Sequence, residues 1–195
     1  MKASVFLLSQ LFLFAPAHAV DGWTEQTFRG KERTAYRMSG GAIEAECKAS
    51  ASGLLRKEKV DLAATPHLRW RWKAEGVYAG IDERKKGGDD FPARVYVVFD
   101  GGLAVWRTRS LVYVWSSTQP QGSDWPNPYT AQAHHVALRS GSPGAWQEER
   151  RDVRADFKRY FGLDVATLDG VAIMTDCDDA GGAMRASYAD IRFEK

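Results

Sequence analysis

Leu68-Arg69-Trp70-Arg71-Trp72-Lys73 alternates apolar and basic side chains at every step. Successive side chains of a strand point to opposite faces, so Leu68, Trp70 and Trp72 share one face and Arg69, Arg71 and Lys73 the other. A strand that buries two indoles on one face needs a second layer to cover them. The division recurs in Ala93-Arg94-Val95-Tyr96-Val97-Val98-Phe99, where Val95, Val97 and Phe99 oppose Arg94 and Tyr96, and again around Trp146 to Arg151. Working outward, strands are expected at Ala42 to Lys48, Gly53 to Val60, Leu68 to Lys73, Ala93 to Phe99, Leu111 to Trp115, His134 to Leu138, Gln147 to Arg151, Val171 to Thr175 and Arg185 to Phe193. The pairs Gly40-Gly41, Gly87-Gly88, Gly101-Gly102 and Gly181-Gly182 separate them as turns needing positive φ. The pattern predicts an all-β, antiparallel jelly-roll β-sandwich. It contains one short helix: Asp152 caps it, Val153, Phe157, Tyr160 and Phe161 form its apolar stripe, and Gly162 stops it.

Residues 1–19 read as a secretory signal peptide, with basic Lys2, an apolar stretch from Val5 to Phe14, and Ala17-His18-Ala19 as the cleavage triplet. The stretch is too short to span a bilayer, so the expectation is an exported, periplasmic or secreted protein that is not transmembrane. Residues 20–195 suit a single jelly-roll domain, expected to be a monomer. An exported setting lacks ATP and NAD(P)H, which removes kinase and dehydrogenase chemistry. The formal net charge of +2 gives no reason to expect nucleic acid. Cys47 and Cys177 are the two cysteines. An oxidising compartment favours one disulfide between them, with two separately buried thiols as the alternative.

Several longer stretches resemble the bacterial domain-of-unknown-function family 3047. They are Gly88-Asp89-Asp90-Phe91-Pro92 running into Ala93 to Phe99, Trp125-Pro126-Asn127-Pro128-Tyr129-Thr130, Glu148-Glu149-Arg150-Arg151-Asp152-Val153, Gly170 to Asp176, and Tyr188 to Phe193. The resemblance implies a fold related to the galactose-binding and carbohydrate-binding jelly rolls, and it implies no reaction. Cys177-Asp178-Asp179-Ala180-Gly181 departs from the Thr-Asp-Asn-Thr-Gly type of run in that family, and position 47, usually small and polar there, is also cysteine.

If the alternating strands share a sheet, its outer face gathers Arg69, Arg71, Arg94, Tyr96 and Glu149 or its neighbour Glu148, a polar, aromatic-edged surface for a ligand. The alternative is a solvated face of surface ion pairs. Asp90 falls at a sheet rim beside this face. Trp125 and Tyr129 flank two prolines, and a stiff loop would present both rings for stacking on a pyranose at little entropic cost. Asp176, Asp178 and Asp179, followed by two glycines, form an acidic turn with oxygen ligands for Ca²⁺, although Ala180 breaks the EF-hand pattern. No other cofactor is expected. No Gly-x-Ser-x-Gly elbow, His-Glu-x-x-His motif, phosphate loop or paired CxxC motif is present. His134 and His135 point to opposite faces of one strand and cannot readily share a metal. The leading expectation is a non-catalytic module binding a glycan or another polar envelope component. A polysaccharide lyase or glycoside hydrolase is the alternative, with Arg94 or Arg71 neutralising a uronate and Tyr96 exchanging protons with a histidine. An envelope structural or assembly protein is a third reading.

Overall fold

A computed structural model describes residues 20–100, 108–141 and 143–195. The expected signal peptide at 1–19 and the Gly101-Gly102 turn lie outside these residues. The strands are β1 (Thr24–Thr27), β2 (Ala35–Ser39), β3 (Ala42–Lys48), β4 (Ser52–Asp61), β5 (His67–Ala74), β6 (Ala93–Phe99), β7 (Arg109–Ser116), β8 (Asp124–Pro126), β9 (Ala133–Ser140), β10 (Gln147–Asp152), β11 (Thr167–Met174) and β12 (Ala183–Glu194). The helix α1 spans Val153–Phe161. A seven-stranded sheet, ordered β1-β4-β11-β6-β7-β9-β8, packs on a five-stranded sheet ordered β10-β5-β12-β3-β2. Pairing is antiparallel except between β7 and β9, which run parallel because β8 makes the return on the far side of β9.

Alternation fills the space between the sheets as the sequence implies. Leu68, Trp70 and Trp72 of β5 are fully buried against Val95 and Val97 of β6 and Leu111, Tyr113 and Trp115 of β7. Trp70 stacks on Tyr113 with centroids 5.4 Å apart, and Trp72 meets Trp115 at 5.8 Å. Each indole removes about 200 Å² from water, worth on the order of 5 kcal/mol before chain and side-chain entropy are charged against it. At one end, α1 buries Val153 and Phe157. The Asp152 carboxylate accepts the Ala155 N–H at 2.9 Å, and Gly162 ends the helix with φ +69°.

The structure departs from the sequence expectations at three places. First, β5 and β6 lie in different sheets, so Arg69 and Arg71 never share a face with Arg94 and Tyr96. Period two assigns a side chain to a face of its own strand, but it carries no information about which strand lies alongside. Second, Glu149 pairs in register with Trp70 and so turns toward the core, where it accepts from Trp72 Nε1 at 3.0 Å and from Arg139 of β9. Glu148 is the residue on the outer face, ion-paired with Arg69. Third, Gly87-Gly88 does not turn through positive φ as Gly40-Gly41 and Gly181-Gly182 do. It sits in a short 3-10 turn where a Cβ on Gly88 would lie 2.5 Å from the Asp82 carbonyl oxygen, so close backbone approach requires the glycine.

Cys47 and Cys177 form a disulfide with their Cα atoms 6.0 Å apart. Cys47 lies in β3 of the smaller sheet and Cys177 just beyond β11 of the larger, so the bridge ties the two sheets together at one end.

Candidate functional site

The outer face of the seven-stranded sheet is covered over one half and open over the other. On the covered half, Val112 and Val114 of β7 and Ala137 of β9 lie beneath Phe91 and Trp125. Trp125 is therefore buried rather than presented: its ring stacks on Phe91, and its Nε1 donates to the Glu83 carbonyl at 3.2 Å. The reason is that residues 124–126 pair with β9 as an edge strand, which folds the indole down onto the sheet.

The open half is a cleft of about 560 Å³. Its floor consists of Gly53 and Leu55 from β4, Ala172 and Met174 from β11, and Tyr96 and Val98 from β6. These positions alternate with the core residues Leu54, Val171, Ile173, Val95 and Val97, so one period-two pattern builds both the core and the floor. Phe28 and Lys31 form one wall, Asn127, Tyr129 and Thr130 the other. Phe28 and Tyr129 are exposed. Asn127 fixes the second wall: its Oδ1 accepts from Tyr129 N at 2.9 Å and Thr130 N at 3.1 Å, an Asx turn, while its Nδ2 donates to Asp89 Oδ2 at 3.2 Å. The Tyr129 hydroxyl donates to the Lys86 carbonyl at 2.9 Å.

At one end of the cleft, Arg94 is the centre of a buried polar group. Its guanidinium makes a two-nitrogen contact with the Asp176 carboxylate and donates to the Asp89 carbonyl. Burial works against the Arg94 charge, but Asp176 and Asp89 override it and hold the group protonated. Burial pushes the Asp89 and Asp90 carboxyls above the ordinary carboxylate range, with Arg94 pulling each back in part. His135 lies behind Asp89, fully buried, with Nε2 3.6 Å from Asp89 Oδ1 and 3.3 Å from Asn127 Nδ2. Burial, with Arg94 and His134 adding repulsion, holds it well below the ordinary histidine range, so it is neutral. The Tyr96 hydroxyl donates toward Met174 Sδ at 3.6 Å, and burial keeps it protonated.

The structure thus divides the expected site residues. Arg94, Tyr96 and Tyr129 line the cleft, and Asp90 supports it from behind by accepting the Asp179 N–H at 2.9 Å. Arg69 and Arg71 lie across the molecule on the outer face of the five-stranded sheet, Arg71 bonded to Asp190 and lying over the Trp146 ring at 5.3 Å. Glu149 braces the sandwich edge. Among the acids, Asp176, Asp178 and Asp179 all line the cleft end. The cluster with mutual oxygen distances below 4.8 Å is Asp90, Asp176 and Asp178, with Asp90 in the place expected for Asp179. Asp179 is held instead near Lys31 and the Tyr129 hydroxyl. Phe28, Lys31, Asn127 and Met174 escaped the sequence reading, the first three because they come from segments without a strong period. The alternation of Ala172 and Met174 with Val171 and Ile173 was the signal available for the last.

The sandwich is shared with solved structures of low sequence identity. A family 11 carbohydrate-binding module of a cellulosomal cellulase from Clostridium thermocellum is 11% identical, with a TM-score of 0.50, 91% of this chain and 90% of that one covered. A meso-active, thermo-stable cellulase derived from the Cel12A cellulase of Rhodothermus marinus is 11% identical, with a TM-score of 0.54 and coverage of 89% and 92%. The xyloglucanase domain of NopAA, a type three effector from Sinorhizobium fredii, in complex with cellobiose, is 8% identical, with a TM-score of 0.51 and coverage of 90% and 96%. No curated protein matches the chain. The family described as protein of unknown function, DUF3047, matches residues 21–192, and the chain belongs to it.

Proposed function

We propose that this DUF3047 member is an exported, non-catalytic module that holds a glycan, as part of the envelope or of a polysaccharide, in the cleft on its seven-stranded sheet. The observation that carries the reading is the distribution of chemistry in the cleft. The floor of Leu55, Val98, Ala172 and Met174 is apolar, aromatic rings of Phe28 and Tyr129 stand at the walls, and the polar groups Lys31, Asn127 and Asp179 sit at the rim. A pyranose has the complementary distribution, with apolar C–H faces and hydroxyls around its periphery. The sandwich of a carbohydrate-binding module, a cellulase and a xyloglucanase supports the same ligand class, and the disulfide supports an oxidising destination.

One feature favours the hydrolase or lyase as the second reading. Asp89 lines the cleft with a carboxyl raised by burial, and its Oδ1 has no hydrogen-bond partner among the described residues. A carboxyl raised above its ordinary range is shifted in the direction a general acid requires. Against it, a glycosidase needs a second free carboxylate, and the neighbouring Asp176 is committed to Arg94.

A panel of soluble polysaccharides decides between these readings when both binding and product release are measured. Retention without new reducing ends or unsaturated uronates supports the module, and Tyr129→Ala then weakens binding up to about tenfold through the lost stacking surface. Products abolished by Asp89→Asn would promote the enzyme. Equal binding by wild type and Tyr129→Ala would place the ligand elsewhere.

A further inference from the structure

Five carboxylates meet at the end of the cleft, Asp89, Asp90, Asp176, Asp178 and Asp179, and among the described residues the cations paired with them are Lys31 and Arg94, with neutral His135 beside Asp89. The partners are unevenly divided. Asp176 is bonded to Arg94 and Asp178 to Lys31. Asp90 has no ion pair among the described residues and is fully buried. Its Oδ2 accepts the backbone N–H groups of Asp179 and Ala180, whereas its Oδ1 is buried without a hydrogen-bond partner among the described residues. A buried carboxylate oxygen without a donor is costly and calls for a ligand. Asp90 is one corner of a triangle whose other corners are Asp176 and Asp178, one carboxylate oxygen of each lying within 4.8 Å of the others.

We propose that Asp90, Asp176 and Asp178 form a Ca²⁺ site that clamps the loop before β6 to the turn after β11. The donors are hard carboxylate oxygens without nitrogen or sulfur, the set preferred by calcium. Oxygens bound about 2.4 Å from one ion lie at most about 4.8 Å apart, a limit this triangle satisfies, whereas Mg²⁺ demands near-ideal octahedral geometry and gives up its water reluctantly. Asp178 exchanges Lys31 for the ion, and water with nearby carbonyl oxygens completes the shell. The Cys47–Cys177 bridge lies between Asp176 and Asp178 and fixes the turn that carries them. The site stands independently of whether the cleft holds a glycan.

The test titrates CaCl₂ into purified, EDTA-stripped protein, following heat by calorimetry and Tm by circular dichroism, with MgCl₂ in parallel. Expected are one saturable site with Kd on the order of 10⁻⁴ to 10⁻³ M, a rise in Tm, and Mg²⁺ binding weaker by at least about tenfold. Asp90→Asn, which keeps an acceptor for the two backbone donors, and Asp178→Asn each reduce affinity by at least about tenfold. Lys31→Ala strengthens binding by removing the competing ammonium. Absence of heat and of any Tm change in wild type at millimolar Ca²⁺ overturns the proposal, as does wild-type affinity in both asparagine variants. If Asp90→Asn does not fold, Asp178→Asn at the surface of the cluster decides alone.

Discussion

At the scale of single residues, chemistry and burial pull against each other around Arg94. The guanidinium is almost wholly enclosed and divides its donors between Asp176 and the Asp89 backbone, so it positions the cleft end rather than offering a free cation to a ligand. Its planar fork meets both oxygens of the Asp176 carboxylate from two nitrogens, a bidentate geometry that an ammonium does not reproduce. Beside it, His135 makes the pH dependence testable. An unfolded histidine takes up its proton near pH 6.5, whereas the native one resists because it is buried next to Arg94 and His134. Below pH 6.5 the unfolded chain therefore binds more protons, and the stability due to His135 is lost as the pH falls toward its lowered native value. The raised carboxyls of Asp89 and Asp90 act with the opposite sign. Their native state takes up protons more readily, so the stability they contribute is fully present below the unfolded carboxylate range and is lost as the pH rises. The clean measurement is a difference: urea unfolding of wild type and His135→Gln from pH 7.5 to 5, where the variant should lose less stability on acidification. Parallel profiles would mean that His135 is not buried neutral.

Among the elements, β8 shows how three residues can redirect a functional expectation. Two prolines and two aromatic rings read as a stiff presenting loop, and half of that holds: Tyr129 stands exposed above the Asx turn of Asn127. Trp125 does the reverse, because backbone pairing with β9 turns it onto Phe91 and the His135 ring. Trp125→Ala should consequently cost about 3–5 kcal/mol of stability by leaving a cavity, and any loss of ligand affinity should follow from a displaced Tyr129. Urea denaturation checks this; an unchanged midpoint would return Trp125 to the surface. Most of the strands and the helix were legible, since long period-two runs and the Asp152 and Gly162 caps are local signals. The short strands β1, β2 and β8 were not, because their apolar pattern is weak and pairing with a neighbour defines them.

Across the whole molecule, the disulfide closes a loop over a sequence separation of 130 residues, and in the chain-entropy model such a closure contributes about 5 kcal/mol. Reduction, or Cys47→Ala with Cys177→Ala, should lower the urea midpoint and raise m, because the released unfolded chain exposes more surface; equal midpoints would show that the unfolded chain gains nothing from release. The bridge also joins the two sheets beside the acidic turn, so its loss should loosen that end of the cleft first. The amino-acid sequence by itself determined an all-β sandwich with one capped helix, because alternation, glycine turns and capping act over a few residues. It also determined which side chains of each strand face together. Only the tertiary structure decided that Arg69 and Arg71 belong to one sheet and Arg94 and Tyr96 to the other, that Glu149 turns inward, and that Asp90 joins Asp176 and Asp178. Those juxtapositions depend on which distant strands hydrogen-bond to one another, and a period-two pattern is equally satisfied by any neighbour that covers its apolar face.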